Sequence, residues 1–596
     1  MAASTTEATW PARFLELWAA ADWSVEITGG VARARARAAL FADWLERLAV
    51  LSGVPISLRL PLVDVARLSF TTIDCTKLPV SHPLRGAFSA SSKGMPEEAA
   101  EAFAAGTAWE GRLPALVRFA RGLASIEMAE SENGLPPLWP RVVLRFDGSV
   151  SVSPVSGPDG YRVREELAAL VETSGLNIPI TANVLDPLSH VKAGTEVAVV
   201  AHFDPHGLTA MIPTVRTLRE SGLASRIVSS YDTTGDYARL WKRIIKELYE
   251  KPDIGALVLL DLSIDSRNPD RCFEFAAKAN AGEKPILWID HHRDTLLAAS
   301  KLAGPKVTLH LTGVLGTHLA QSLPMREIEL LTVGAVSDKD PYAMWAAKLW
   351  RESGKMKDLF LILNGVESAL DSVTPPPRQL RKILRKQSLD LFSSVKDRIM
   401  RLDREYLIEL GKKAKESPLT LADVSSPPAA LIEENPELAE YWNSHSGAWG
   451  LYPGAAVEGL EPLFEPMGRI IVFTKRPPGA GRFWYEIMED AMSSFGKYGN
   501  GLLRTPYAVA TRILENGKAN VLFLTHHEAN SAPDIRLFLP QSYQTRWIGH
   551  PRAFWLDVRQ GSEKRLINLV VKRVNAFMEA VFPDGGDGKN NIRSRQ

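Results

Sequence analysis

The stretch EVAVVAHFDPHG, residues 196–207, is a short apolar run that breaks into a loop of His, Asp, Pro, His and Gly, with helical text at 208–220 behind it. The same pattern recurs downstream. Apolar runs at 226–230, 256–260, 286–289 and 328–336 alternate with helix-like stretches at 237–250, 271–281 and 316–323. Strand runs alternating with helices of this length are the signature of βα units and a parallel sheet, so the fold class is α/β.

Ligands collect at the carboxyl ends of the strands in open parallel sheets. Four segments rich in His and Asp sit there: His202, Asp204 and His206 after VAVVA, Asp261 after ALVLL, Asp290, His291 and His292 after ILWI, and Asp338 in GAVSDKD. Imidazoles and carboxylates mixed in this way suit Mn2+, Mg2+, Fe2+ or Zn2+ better than a thiolate site would. Two divalent cations are expected, with Mn2+ the leading choice. Such a pair activates a water and holds the oxygens of a phosphoryl displacement, which makes phosphoester hydrolysis the expected chemistry.

The rest of the composition narrows the field. Cys75 and Cys272 are the only cysteines, which excludes a disulfide framework or a Cys-based zinc site. Seventy Lys and Arg against 69 Asp and Glu leave a net charge of +1, so wrapping in nucleic acid by bulk charge is excluded while a local basic groove is not. No apolar run approaches the roughly 20 residues that span a bilayer, and the opening MAASTTEATWPARF has no basic segment followed by an apolar one. No membrane association and a cytoplasmic location are the expectations.

At 596 residues the chain is too long for one core. We expect a mixed N-terminal domain over 1–190, a parallel-sheet catalytic domain over 191–350, a helical connector and linker over 351–465, a smaller α/β C-terminal domain over 466–583 and a disordered tail over 584–596. Within the first, 10–51 and 163–173 are helix-like and 142–146 strand-like; no catalytic constellation occurs there, and a protein partner is one role open to it. The connector starts with a long amphipathic stretch, 378–415, and the C-terminal domain opens on the strand-like IIVFT and contains NVLFL and DIRLFL.

The motif order, HxDxxG, then Asp ending a strand, then DHH, then a further strand followed by Asp, resembles the DHH phosphoesterase superfamily over roughly 191–348. A second, weaker match joins IGHPRA at 548–553 to the Gly-His loop of the C-terminal domain associated with that family, with Ile548 in place of a glycine. The resemblance implies that His202 and Asp204 hold one cation, that Asp261 bridges both, and that residue 206, His291 and Asp338 hold the second. It further implies that Asp290 orients His291, that His292 faces the substrate phosphate, and that Gly549, His550 and Arg552 grip it from across the cleft. The departure is at 206, where the family has Asp and this chain has His. Losing one negative charge lowers affinity for the second metal or shifts preference toward Fe or Zn; loss of catalysis is the harsher alternative.

The activity implied is hydrolysis of single-stranded nucleic acid or short oligonucleotides. The alternatives are a cyclic or linear dinucleotide phosphodiesterase and a noncatalytic binding or scaffold protein on the same fold. Other polar features read as structural: Asp232 and Asp236 as turn and cap residues, His526 and His527 as a surface loop, His310 and His318 as ordinary structural histidines, the basic run 378–386 as a solvated helix face, and FGKYGNG at 495–501 as a turn.

Overall fold

The computed structural model describes residues 10–22, 31–69, 72–82, 85, 96–132, 141–144, 150–153, 165, 168–173, 188, 191–202, 205–230, 241–242, 244–264, 269–311, 333–334, 404–416, 420–424, 433, 436, 439–440, 443, 464–473, 484–496, 503–513, 517–526, 529, 532–543, 547–549 and 553–581. Among them no helix is long and apolar enough to cross a membrane.

Five helices come first: α1 (Trp10–Ala19), α2 (Val31–Leu51), α3 (Ile56–Arg67), α4 (Pro96–Ala104) and α5 (Arg112–Glu132). Phe14, Phe41, Leu45, Leu62 and Phe119 lie buried between them, and two short strands, β1 (Ala21–Asp22) and β2 (Thr72–Ile73), pair antiparallel at their side.

A seven-stranded sheet follows. It comprises β3 (Arg141–Leu144), β4 (Val150–Ser153), β5 (Glu196–His202), β6 (Ser225–Ser230), β7 (Ile254–Leu260), β8 (Ile286–Asp290) and β9 (Val307–Leu311), in the order β4-β3-β9-β8-β7-β5-β6. The five strands from β6 to β9 run parallel. Helices α6 (Pro205–Glu220), α7 (Asp270–Asn280), α8 (Arg293–Leu297) and α9 (Ala299–Leu302) connect them. Parallel strands carry helices on both faces and are apolar almost throughout; the interior residues of β5 and all five of β8 are buried accordingly. On one face Trp241, Phe275 and Trp288 meet, with ring centroids 4.9 Å apart for the two indoles and 5.3 Å for Trp241 and Phe275.

Two expectations are corrected. Among the described residues the fifth parallel strand is VTLHL, β9; of the run 328–336 only Val333 and Gly334 are described, and they are helical. A mainly apolar run reads alike as a buried strand or a buried helix, and Val333 is wholly buried. The strands at 141–153 fall in the expected N-terminal region but belong to this sheet: β3 pairs with β9 at Leu144 and Leu309, adding an antiparallel edge to the parallel core.

Of the long stretch 378–415, only its last part is described, as helix α10 (Arg404–Glu416); the basic run 378–386 lies outside the described residues. A second sheet comprises β10 (Phe464–Met467), β11 (Ile470–Phe473), β12 (Tyr507–Ile513), β13 (Lys518–Thr525), β14 (Trp547–Gly549) and β15 (Ala553–Arg559), in the order β10-β11-β12-β13-β15-β14. Only β11 and β12 are parallel neighbours. Helix α11 (Trp484–Ser494) connects β11 to β12, and α12 (Glu563–Val581) seals the core through Leu566, Val570 and Val574.

The segment DIRLFL in this unit forms a tight helical turn, Ile535–Phe538, and not a strand. Asp534 caps it by accepting from the Arg536 amide, and the Arg536 guanidinium folds back on the same carboxylate. Burial pushes the Asp534 carboxyl up, but Arg536, helped by Arg67 of α3, more than offsets this and holds it at about 2, below the ordinary 3.8. A depressed carboxylate contributes stability that is present above its unfolded pKa and lost as pH falls through its folded pKa. Replacing Asp534 by Asn keeps a capping oxygen and removes the charge. Urea unfolding at pH 7 is expected to show the variant less stable by about 2 kcal/mol, with the gap to wild type closing between pH 4 and pH 2; a gap that persists at pH 2 would show that the charge is not its source.

Candidate metal centre

The strand register brings the polar residues together. Ala201 on β5 is level with Leu260 on β7, and Leu260 is level with Ile289 on β8, so His202, Asp261 and Asp290 follow one another across three adjacent strands. Neighbouring strands lie about 4.8 Å apart, a spacing side chains can bridge.

Asp261 is the only non-glycine residue with positive φ among the described residues, at 58°. The left-handed region is unfavourable for most L-residues and tolerated best by Asn and Asp. Here the conformation is held from several sides. The Asp261 amide donates to the Ile289 carbonyl at 3.0 Å, the Trp288 indole donates to the Leu262 carbonyl at 2.9 Å, and the Ile264 amide donates to the Thr295 hydroxyl at 3.2 Å. The turn directs a buried carboxylate at two imidazoles. His291 Nε2 stands 3.1 Å from Asp261 Oδ1 and His206 Nδ1 4.0 Å from Oδ2, and the two rings meet edge to face with centroids 4.6 Å apart.

Asp290 plays a different part from the expected one. Its Oδ1 accepts from the amides of His291 at 2.8 Å and His292 at 3.3 Å, and lies 2.7 Å from His292 Nδ1. It therefore orients the imidazole of His292 and not that of His291, because the strand-to-helix turn returns the side chain two residues on to the same side. Burial pushes the Asp290 carboxyl up, but His292, with His291 behind it, outweighs this and holds it at about 2. Burial likewise disfavours the His292 imidazolium, and Asp290 more than offsets that, raising His292 to about 9. With Nδ1 committed to Asp290, Nε2 is the nitrogen that points away from it.

These residues fit divalent cations. One ligand atom each from Asp261, Asp290, His291 and His292 lies within 4.8 Å of all the others. Since Asp290 is occupied with His292 and two amides, Asp261 and His291 are the ligands the geometry favours from this group, and His206 lies beside them facing the other Asp261 oxygen. Ligands held at 2.0–2.2 Å around one tetrahedral ion stand about 3.4 Å apart, a value that falls between the 3.1 and 4.0 Å separations observed.

Glycines permit the close packing around this set. A β-carbon on Gly207 would fall inside the van der Waals envelope of the His202 carbonyl, where α6 turns back over the end of β5. A β-carbon on Gly334 would collide with the Thr209 hydroxyl and lie 3.4 Å from the His206 ring, so the helical residues at 333–334 sit directly against His206. Asp204 and Asp338 lie outside the described residues, as do His550, Arg552, Asp232, Asp236, His318 and His527. Gly549 ends β14, and β14 packs against α8, the helix that starts immediately after His292.

Away from this centre, His526 is not a surface residue. It is buried, with Nε2 2.8 Å from the Ser493 hydroxyl. His310 is buried within β9. The residues that sequence reasoning passed over are Trp288 and Thr295, which fix the turn after Asp261. An apolar run carries no sign that one indole nitrogen will hold a neighbouring loop.

No protein-family model and no curated protein matches the chain. Among solved structures, exonuclease RecJ bound to manganese is similar at 16% identity and a TM-score of 0.32, over 67% of this chain and 94% of that one. RecJ from Thermus thermophilus in complex with Mn2+ is similar at 15% identity and a TM-score of 0.31, over 66% of this chain and 54% of its own length, so the match spans about half of that protein. The pGpG-specific phosphodiesterase PggH from Vibrio cholerae is similar at 10% identity and a TM-score of 0.31, over 64% and 99%.

Gly207→Ala tests the packing that joins His202 to His206. It is expected to lower stability by roughly 1–3 kcal/mol and to weaken divalent-cation uptake measured by calorimetry. A variant with wild-type unfolding and wild-type uptake would show that the close approach is not needed.

Proposed function

We propose that this chain is a metal-dependent phosphodiester hydrolase of the DHH type, acting in the cytoplasm on single-stranded nucleic acid or short oligonucleotides. The observation that carries it is the convergence of two imidazoles, His206 at the start of α6 and His291 after β8, on the buried Asp261 carboxylate at the end of β7. His202, Asp204 and Asp338 would complete the ligand set for two divalent cations. When bound, such ions supply Lewis acidity and a hydroxide nucleophile at neutral pH.

The protein's own groups do the positioning. Asp261, fixed by its turn, aims its carboxylate between the imidazoles. His292, held at Nδ1 by Asp290, offers Nε2 to a phosphate oxygen as a charge-assisted donor. Strand β14, which ends at Gly549, packs beside α8, and the residues that follow it in sequence, His550 and Arg552, would supply charge-assisted donors to a substrate phosphate.

The test uses Asp261→Asn, since Asn tolerates the left-handed turn and removes only the charge. With Mn2+ present, the wild type is expected to shorten end-labelled single strands and the variant to be slower by a factor on the order of 10³, about 4 kcal/mol of barrier. Equal rates on every strand, oligonucleotide and dinucleotide tried would reject the enzyme. Turnover of dinucleotides alone would move the substrate to the shorter class, and uptake of fewer than two cations per chain without turnover would favour a scaffold.

A further inference from the structure

The N-terminal helices touch both walls of the proposed cleft. On the metal side, the carboxyl-terminal end of α2 reaches the catalytic sheet: Val50 and Leu51 pack on the core that contains Trp241 and Trp288, and α2 also packs against α8, the helix that follows His292. On the opposite side, Leu537 of the 535–538 turn and Phe577 of α12 pack on the helical core, while Leu15 of α1 packs on the core of the second sheet.

An ionic and aromatic chain runs through the same contact. Arg67, the last residue of α3, is held by Asp64 at 2.8 Å and lies 3.9 Å from Asp534. Asp534 binds Arg536, and the Arg536 guanidinium stacks over the Trp547 ring at 4.5 Å from its centroid. Trp547 begins β14, which ends at Gly549. One helical layer is thus connected at one end to the helix behind His292 and at the other to β14.

We propose that the five N-terminal helices are a brace that sets the spacing between the metal centre and β14 of the second sheet, with Arg67 as a positioning residue. Two sheets joined through a connector of more than a hundred residues would otherwise approach each other in many geometries. A substrate gripped across the cleft requires one. The brace supplies it by contact with both, without touching the metals or the substrate. This proposal rests on the phosphoesterase function proposed above for its catalytic consequence, but not for its structural one.

Two measurements test it. Spin labels at Leu297 of α8 and Ile513 of β12, both exposed, report the spacing of the two sheets in a Cys75→Ser background, Cys272 being buried. Arg67→Glu places a like charge against Asp534 and is expected to broaden a single narrow distance distribution, whereas Arg67→Lys leaves it narrow. In turnover of a labelled single strand, Arg67→Glu is expected to raise KM about tenfold, with kcat and cation stoichiometry close to wild type, and Arg67→Lys to restore most of the loss. An unchanged narrow distribution in a combined Arg67→Glu, Leu537→Ala variant would overturn the brace, as would a fall in kcat at constant KM. Absence of turnover in the wild type would reject the enzymatic function alone, and the distance measurement would still decide the brace.

Discussion

Main-chain hydrogen bonds that join β5 to β7 and β7 to β8 set His202, Asp261 and Asp290 in one row at the carboxyl edge of the sheet. Parallel pairing fixes register along the whole strand, since a slip of one residue would turn every side chain to the other face. These strands are buried on both sides, so the register is enforced by all the apolar residues below the site. The chemistry at the edge is a consequence of packing several residues away.

The row would be of little use without the turn at Asp261. A left-handed non-glycine residue costs roughly 1–2 kcal/mol, and it persists because the amide of Asp261 continues the ladder to Ile289 while Trp288 and Thr295 hold the next three residues. Backbone strain of this sort collects where a side chain must be aimed. Here it aims a carboxylate into a group of imidazoles from two different loops. Asp290 has the complementary task of fixing the half-buried His292 beside them, and their contact holds the carboxyl down at about 2 and raises the imidazole to about 9.

The same economy of contact extends outward. Gly207 and Gly334 bring α6 and the 333–334 helical residues against the ends of β5 and the ring of His206. The second sheet reaches the site through β14, whose position depends on the turn capped by Asp534 and, through Arg67, on the N-terminal helices. Parts that share no sequence motif are in this way tied to one geometry.

Much of this was written in local sequence. Apolar runs followed by His and Asp pointed to the α/β class, to strands ending within one residue of Ala201, Leu260 and Ile289, and to Asp261, His291 and His292 as neighbours, because strand period and strand-end placement are short-range properties. Tertiary structure decided the rest. Whether VTLHL or the run 328–336 supplied the fifth parallel strand depended on which could pair beside β8, and the strands at 141–153 joined the sheet only because its β9 edge was open to Leu144. His526 is buried, its ring nitrogen paired with Ser493, thirty-three residues away in sequence. The partner of Asp290 and the left-handed turn of Asp261 were likewise beyond local text, since both follow from contacts made across strands, and a chain read one residue at a time does not contain the distance between them.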